Sequence, residues 1–272
     1  CFRKNKSESL RLQAIKLGFM TNELVSGLIR SITLRLTDAG IEDASIDARI
    51  LLRSAFGWTA AEQLGNLLGS APAEHLERLE KMVVRRATRE PLQYITGSIE
   101  FFRHQFSVNE SVLIPRPETE QLVVQTMAFV RERKIESPRI ADICTGSGAI
   151  AVSLALEMPA AEVHATDISA DALTVAQQNT YDLNAELHMY EGDLLEPLSG
   201  QFDVIVSNPP YIIADAMHSL QPEVAREPSL ALDGGNDGLN VIRPLLTAIA
   251  EKLKPTNSAA YIEIDPPIKD AV

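Results

Sequence analysis

Cysteine is nearly absent from this 272-residue chain, which holds only Cys1 and Cys144. Two such distant thiols supply neither a disulfide framework nor a metal-ligand spacing, and the five histidines are scattered. No apolar run reaches the roughly 18 residues that a membrane span needs. The basic opening Cys1-Phe2-Arg3-Lys4-Asn5-Lys6 lacks the apolar segment and small-residue cleavage site of a signal peptide. Internal repeats and low-complexity tracts are missing too. These absences predict a cytoplasmic protein in a reducing environment, with no membrane partner. What remains is ordinary globular material, 45% apolar and 23% charged, long enough for two domains with ample core.

Positive charge is scarce in one part of the chain only. Residues 1–100 carry 14 basic and 12 acidic side chains, a net of +2. Residues 101–272 carry 11 and 25, a net of −14. An acidic surface repels phosphate backbones, so direct nucleic-acid binding is not expected and a basic protein surface is the better partner.

The first ninety residues read as helices. Leu24, Val25, Leu28, Ile29, Ile32 and Leu36 recur at helical spacing, as do Ala48, Leu51, Leu52 and Ala55 behind a Ser45 cap. A third stripe, Leu76, Leu79, Met82 and Val83, predicts a helix over residues 73–88. From Pro91 the pattern changes, and residues 91–97 with 101–108 read as a short hairpin. A helix is expected over residues 118–133. Strands are expected over 139–143, 162–167, 187–191, 202–207 and 259–264, alternating with helices over 149–158, 170–179 and 238–252. The chain is thus organised as a helical bundle over 1–90, a hairpin linker over 91–117 and an α/β domain over 118–272. Alternation of this kind implies a doubly wound, mostly parallel, Rossmann-like sheet, with ligands at the carboxyl ends of its strands.

Those strand ends carry the chemistry. Asp142-Ile143-Cys144-Thr145-Gly146-Ser147-Gly148 ends one strand and opens a helix, where close-approaching N–H groups and the helix dipole favour an anionic group. Its glycine count is not G-x-G-x-x-G and no Lys follows, so by itself the turn suits NAD, a phosphate or a methionine carboxylate. Asp167 suits a pair of ribose hydroxyls, or else caps the helix that follows. In Gly192-Asp193-Leu194 a carboxylate and an apolar side chain could border an adenine, though Asp193 reads equally as a turn residue. The most informative segment is Asn208-Pro209-Pro210-Tyr211, straight after an apolar strand. Its prolines remove two donors and stiffen the turn. What is left is a patch of acceptors, the Asn208 oxygen and the Pro209 carbonyl, beside the Tyr211 ring. The patch fits a flat, neutral group bearing NH2 and offers no acid, base or nucleophile.

Taken together, these four strand ends resemble the class I S-adenosylmethionine-dependent methyltransferases that act on planar NH2 groups. Glu90-Pro91-Leu92-Gln93-Tyr94-Ile95 with Gly97, Phe101 and Phe106 narrows the resemblance. So do Leu113-Ile114-Pro115-Arg116-Pro117-Glu118-Thr119-Glu120, Glu227-Pro228, Ala231-Leu232-Asp233-Gly234-Gly235 and Asp237-Gly238-Leu239. Over roughly residues 25–265 the chain is similar to the protein-(glutamine-N5) methyltransferases that modify peptide chain release factors. That resemblance implies S-adenosyl-L-methionine as cofactor and the glutamine of a Gly-Gly-Gln loop as substrate. It implies that Asp142 and Cys144, Thr145, Gly146, Ser147 and Gly148 surround the methionine moiety. Asp167 would hold the ribose, and Asp193 with Leu194 would border the adenine. Asn208, Pro209, Pro210 and Tyr211 would hold the substrate amide, with Asn208, Pro209 and Tyr211 as the catalytic set. Arg116, Glu118 and Thr119 fall in the segment that resembles the family's active-site roof, either as direct contacts or as a stiffened helix entry with an Arg–Glu pair.

Departures from the family pattern are Cys144, where a glycine is common, and the two ends. The first twenty or so residues have no clear counterpart. After Tyr261-Ile262-Glu263-Ile264 the family continues with a Gly- and Gln-containing segment, a helix and a closing hairpin, so the resemblance predicts a chain that is incomplete or unusual at its C-terminus. Rival readings are a ribosomal-protein glutamine methyltransferase, a DNA or RNA adenine-N6 methyltransferase, and a non-enzymatic adenosine-binding module. The acidic half opposes the nucleic-acid reading, and the module leaves the acceptor patch without a purpose.

Overall fold

The computed structural model describes residues 24–264. The expectations about both chain ends, including the basic opening, lie outside these residues. The chain divides after Thr96 into two compact units.

In the first unit, apolar stripes at helical spacing become α1 (Val25–Asp38), α2 (Ala44–Phe56) and α4 (Ala73–Ala87). Leu28, Ile32, Leu36, Leu51, Leu52 and Leu79 are fully buried between them. Arg86 Nε donates to Asp47 Oδ2 at 2.6 Å inside this core, tying α4 to α2. Three expectations need correction. Leu24 is 45% exposed, because it precedes α1 and bridges to Ser70 instead of packing inward. Ser45 is not a cap: α2 begins one residue earlier, behind Asp43. The span 91–97 is not a strand. Pro91 immediately precedes a short helix, α5 (Leu92–Thr96), and its carbonyl accepts from Tyr94 N and Ile95 N. Burial of Tyr94 and Ile95 favours that helix. An additional short helix, α3 (Ala60–Gly65), is set by a capping box between Thr59 and Glu62.

The second unit opens with a two-stranded hairpin, β1 (Ser98–Phe101) and β2 (His104–Ser107), turned at Phe102 and Arg103 with φ of 46° and 69°. Two successive positive φ values match the right-handed twist of a tight hairpin. Its fully buried Phe101 and Phe106 meet edge to face at 6.0 Å. Helix α6 (Glu120–Arg133) follows a 3₁₀ turn at Pro117–Thr119.

Five parallel strands then form the sheet: β3 (Arg139–Ile143), β4 (Glu162–Asp167), β5 (His188–Glu191), β6 (Val204–Ser207) and β7 (Ala259–Ile262). Helices α7 (Ala149–Glu157), α8 (Ala170–Asp182) and α9 (Ile242–Lys252) complete the unit. Strand order is β5-β4-β3-β6-β7, so the winding reverses between β3 and β6. Ile140, Ala141 and Ile143 of β3 and Val204, Ile205 and Val206 of β6 are apolar and buried because both faces of the sheet are covered. Ile140, Val204 and Val206 pack in one cluster with α7, and Ala141, Ile143 and Ile205 in another with Leu245 and Ile249 of α9.

Phe106→Ala should destabilise the second unit by about 3–5 kcal/mol. Urea unfolding followed by circular dichroism measures it. A loss below about 1 kcal/mol would mean the hairpin contributes little to this core.

Candidate active site

Sheet register determines which residues meet. Ile143 lies opposite Ser207 and Thr166, Asp167 opposite Glu191, and Ser207 opposite Ile262. The residues at or just past the strand tips therefore form one row along the carboxyl edge: Glu191, Asp167, Cys144, Asn208 and Glu263. A cavity opens at this edge beside the reversal point, where open α/β sheets bind ligands. Its walls include Thr145, Gly146, Asp167, Asp193, Leu194 and Asn208.

The loop after β3 is built from below. Asp142 is fully buried, and its Oδ2 accepts from Thr145 Oγ1 at 2.6 Å and Ala151 N at 3.1 Å. It is not among the residues lining the cavity, and its hydrogen bonds shape the loop from beneath. Cys144 adopts φ of 60°, a left-handed conformation that explains why glycine is common at such a position. Gly146, Ser147 and Cys144 reach the wall, whereas Gly148 lies back against Ala176, where an added Cβ would sit 3.1 Å from that side chain. Burial and the nearby Asp167 and Asp142 charges push the Cys144 thiol up to about 12, so it stays protonated.

A residue that sequence reasoning passed over, Asn179 of α8, holds this loop to the hairpin. Its Oδ1 accepts from Ser107 N at 2.7 Å, while Nδ2 donates to the carbonyls of Ser107 and Ser147 at 3.0 and 2.8 Å. A polar side chain continuing the apolar stripe of Ala172, Val175 and Ala176 was the available signal.

Asp167 Oδ2 accepts from Gly146 N at 2.8 Å and Oδ1 from Ser169 N at 2.9 Å. Burial raises its pKa, and those backbone hydrogen bonds oppose the rise. Helix α8 is capped by Ser169, whose hydroxyl accepts from Ala172 N, so the capping alternative for Asp167 is set aside. Exposed Asp193 and neighbouring Leu194 also line the cavity. Leu194 takes φ of 46° and its carbonyl accepts from Thr166 Oγ1 at 2.8 Å.

The segment after β6 is stitched in place by Ile212 N to Leu232 O and Gly234 N to Ile212 O, at 2.9 and 2.8 Å. A Cβ on Gly234 would lie 2.8 Å from the Tyr211 carbonyl carbon, which accounts for the Asp233-Gly234-Gly235 run. Asn208 and Pro210 line the cavity, whereas Pro209 is buried outside its lining and Tyr211 packs with Leu239 and Ile242. Asn208 Nδ2 donates to Thr119 Oγ1 at 3.2 Å. Its Oδ1 and the Pro209 carbonyl take no hydrogen bond among the described residues. Thr119 Oγ1 donates to Glu263 Oε2 at 2.7 Å, and the Tyr211 hydroxyl to Glu263 Oε1 at 3.3 Å.

Over the cavity runs the segment containing Ser111, Val112, Leu113 and Pro115. Buried Glu227 secures it, accepting from Ile114 N at 3.0 Å and Arg116 Nη2 at 2.5 Å. The expected Arg–Glu pair therefore uses Glu227 from the distant Glu227-Pro228 motif. Glu118 is exposed, while Thr119 is buried and reaches the cavity. Two carboxylates and no Lys, Arg or His line this cavity among the described residues, so it favours a ligand with a cationic centre.

The family model for the PrmC N-terminal domain matches residues 27–97, and that for the methyltransferase small domain matches residues 119–229. A release factor glutamine methyltransferase of Deinococcus radiodurans is 40% identical over 246 residues, covering 88% of this chain and 85% of the relative. One of Moorella thermoacetica is 45% identical over 224 residues, with 81% and 78% covered. One of Geobacter sulfurreducens is 42% identical over 222 residues, with 81% and 77% covered.

Burial pushes the Asp142 carboxyl up to about 7 from 3.8, outweighing the hydrogen bonds from Thr145 and Ala151. A raised folded-state value favours the protonated acid in the fold. Its contribution to stability is complete below 3.8 and is lost as pH rises through about 7. Asp142→Asn keeps an acceptor and cannot ionise, so it should flatten that part of the stability–pH curve. Urea midpoints between pH 4 and 8 test this, and parallel curves for the two proteins would contradict it.

Proposed function

The chain belongs to the release factor glutamine methyltransferase family, and from that premise we propose that it methylates N5 of the glutamine in the Gly-Gly-Gln loop of a peptide chain release factor. S-adenosyl-L-methionine, as methyl donor, supplies an electrophilic carbon on a sulfonium that needs no further activation. The residues present fit this donor. Gly146 lines the cavity with open space where a Cβ would stand, and Asp167 and Asp193 give the cavity the sign a sulfonium requires. We assign Cys144, Thr145, Gly146 and Ser147 to its methionine end, with Gly148 and Asp142 as their support. Asp167 is assigned to the ribose, and Asp193 with Leu194 to the adenine.

A carboxamide nitrogen is a weak nucleophile because its lone pair is delocalised into the carbonyl. The chain's contribution is therefore orientation and electrostatics. The Asn208 oxygen and Pro209 carbonyl accept the two amide hydrogens, which holds the NH2 in place and favours positive charge as the nitrogen turns tetrahedral. Pro210 stiffens this turn, and the Tyr211 ring offers the planar amide an aromatic face. We assign the helical unit, matched by its own family model, to docking of the substrate protein.

The observation that carries the reading is the orientation of Asn208. Its nitrogen is taken by Thr119, which leaves an acceptor at an anionic cavity. Radiolabelled S-adenosylmethionine offered with release factor, ribosomal protein and DNA separately, followed by mass mapping, tests the assignment. Label on the release-factor glutamine is expected; label only on another substrate would refute it. Asn208→Ala should lower kcat by about 10²–10³-fold while cofactor affinity changes only a few-fold. Near-normal turnover by this variant would remove Asn208 from the mechanism.

A further inference from the structure

Chemistry at Asn208 depends on which end of its amide faces the substrate. The two ends are nearly isosteric and differ only in being an acceptor or a pair of donors. With the oxygen outward, Asn208 accepts from the glutamine NH2. With the nitrogen outward, donor would meet donor and the substrate amide would be repelled. Something must select the first orientation.

Thr119 alone does not, since its hydroxyl both donates and accepts. Its single proton, however, is committed to Glu263 Oε2 at 2.7 Å, and a carboxylate only accepts. Only lone pairs then remain for Asn208, so the amide must present Nδ2, which lies at 3.2 Å. The Tyr211 hydroxyl donates to the other oxygen, Oε1, so one carboxylate sets the polarity of both arms. Thr119 is only 4% exposed, which limits water as a substitute partner. The backbone delivers Glu263 to this place, because its N–H donates to Ser207 O at 3.0 Å, directly beside Asn208.

We infer that Glu263 is a positioning residue for this reaction, acting through Thr119 to hold the Asn208 amide with its oxygen toward the substrate. The inference rests on the functional reading above. Glu263→Gln replaces a pure acceptor by a group that also donates, so Thr119 is released from its one-way role with little change in shape.

The test compares wild type, Glu263→Gln, Thr119→Val and Thr119→Ser by steady-state methylation of release factor, calorimetric S-adenosylmethionine binding and amide NMR of the Asn208 side chain. Glu263→Gln and Thr119→Val should each lower kcat by about 10–100-fold. Cofactor Kd and release-factor KM should stay within about twofold of wild type. Thr119→Ser, which keeps the proton, should restore most of the rate. The double variant Glu263→Gln/Thr119→Val should be no slower than Thr119→Val alone, since the two act in series. In the free protein, Asn208 Nδ2 hydrogens should exchange faster in Glu263→Gln than in wild type.

A wild-type kcat for Glu263→Gln would overturn the inference. So would equal impairment of Thr119→Ser and Thr119→Val, or a loss of cofactor affinity in proportion to kcat, which marks mere loss of structure. If wild type methylates no release-factor glutamine, the functional reading fails instead. The exchange of the Asn208 amide still decides whether Glu263 and Thr119 orient it.

Discussion

Pairing of β3 with β6, Ile143 opposite Ser207, is the contact on which the rest of the site depends. These neighbours come from opposite halves of the winding, so their connections leave in opposite directions and the sheet edge opens between them. Into that opening one strand sends a glycine-rich turn, and the other a proline-stiffened turn whose Asn208 Oδ1 and Pro209 carbonyl take no hydrogen bond among the described residues. A shift of one residue would exchange the faces of every side chain in β6. Val204 and Val206 would then lose their cluster, and Asn208 its place beside Cys144 and Glu263. Core packing and site geometry are thus secured by the same register.

Around this row, buried polar groups do the holding. Asp142 bridges Thr145 and Ala151, Asn179 joins the hairpin to Ser147, and Glu227 ties Ile114 and Arg116 over the cavity. Each reaches backbone or side-chain partners on a separate segment. In a dry interior such bonds hold geometry because losing a partner strands a buried polar group. The Asn208 oxygen and the Pro209 carbonyl meanwhile take no hydrogen bond among the described residues.

Much of this was legible in the chain order. Four strand ends bearing Asp142 to Gly148, Asp167, Asp193 with Leu194, and Asn208 to Tyr211 pointed to one edge, because parallel alternation leaves few topologies. The helical stripes were legible for the same reason: burial imposes a period. The misses have local causes. Pro91 reads as an interruption, yet just before the first helical residue its carbonyl accepts from Tyr94 N and Ile95 N and so starts the turn that buries them. Arg116 seemed paired with nearby Glu118, but a buried carboxylate 111 residues away took it. Glu263 was read as part of a strand motif, with no hint of its link to Thr119 across 144 residues.

By itself the sequence determined the fold class, the order of the strand ends and the acceptor character of the proline-rich turn, because periodicity, chirality and donor loss act over a few residues. Tertiary structure alone decided which carboxylates line the cavity and which are turned to protein partners. Asp142 turned inward, Asp167 stayed at the cavity, and Glu263 took the Thr119 and Tyr211 hydroxyls. Those outcomes depend on strand register and on burial, quantities summed over distant segments that no short stretch of sequence contains.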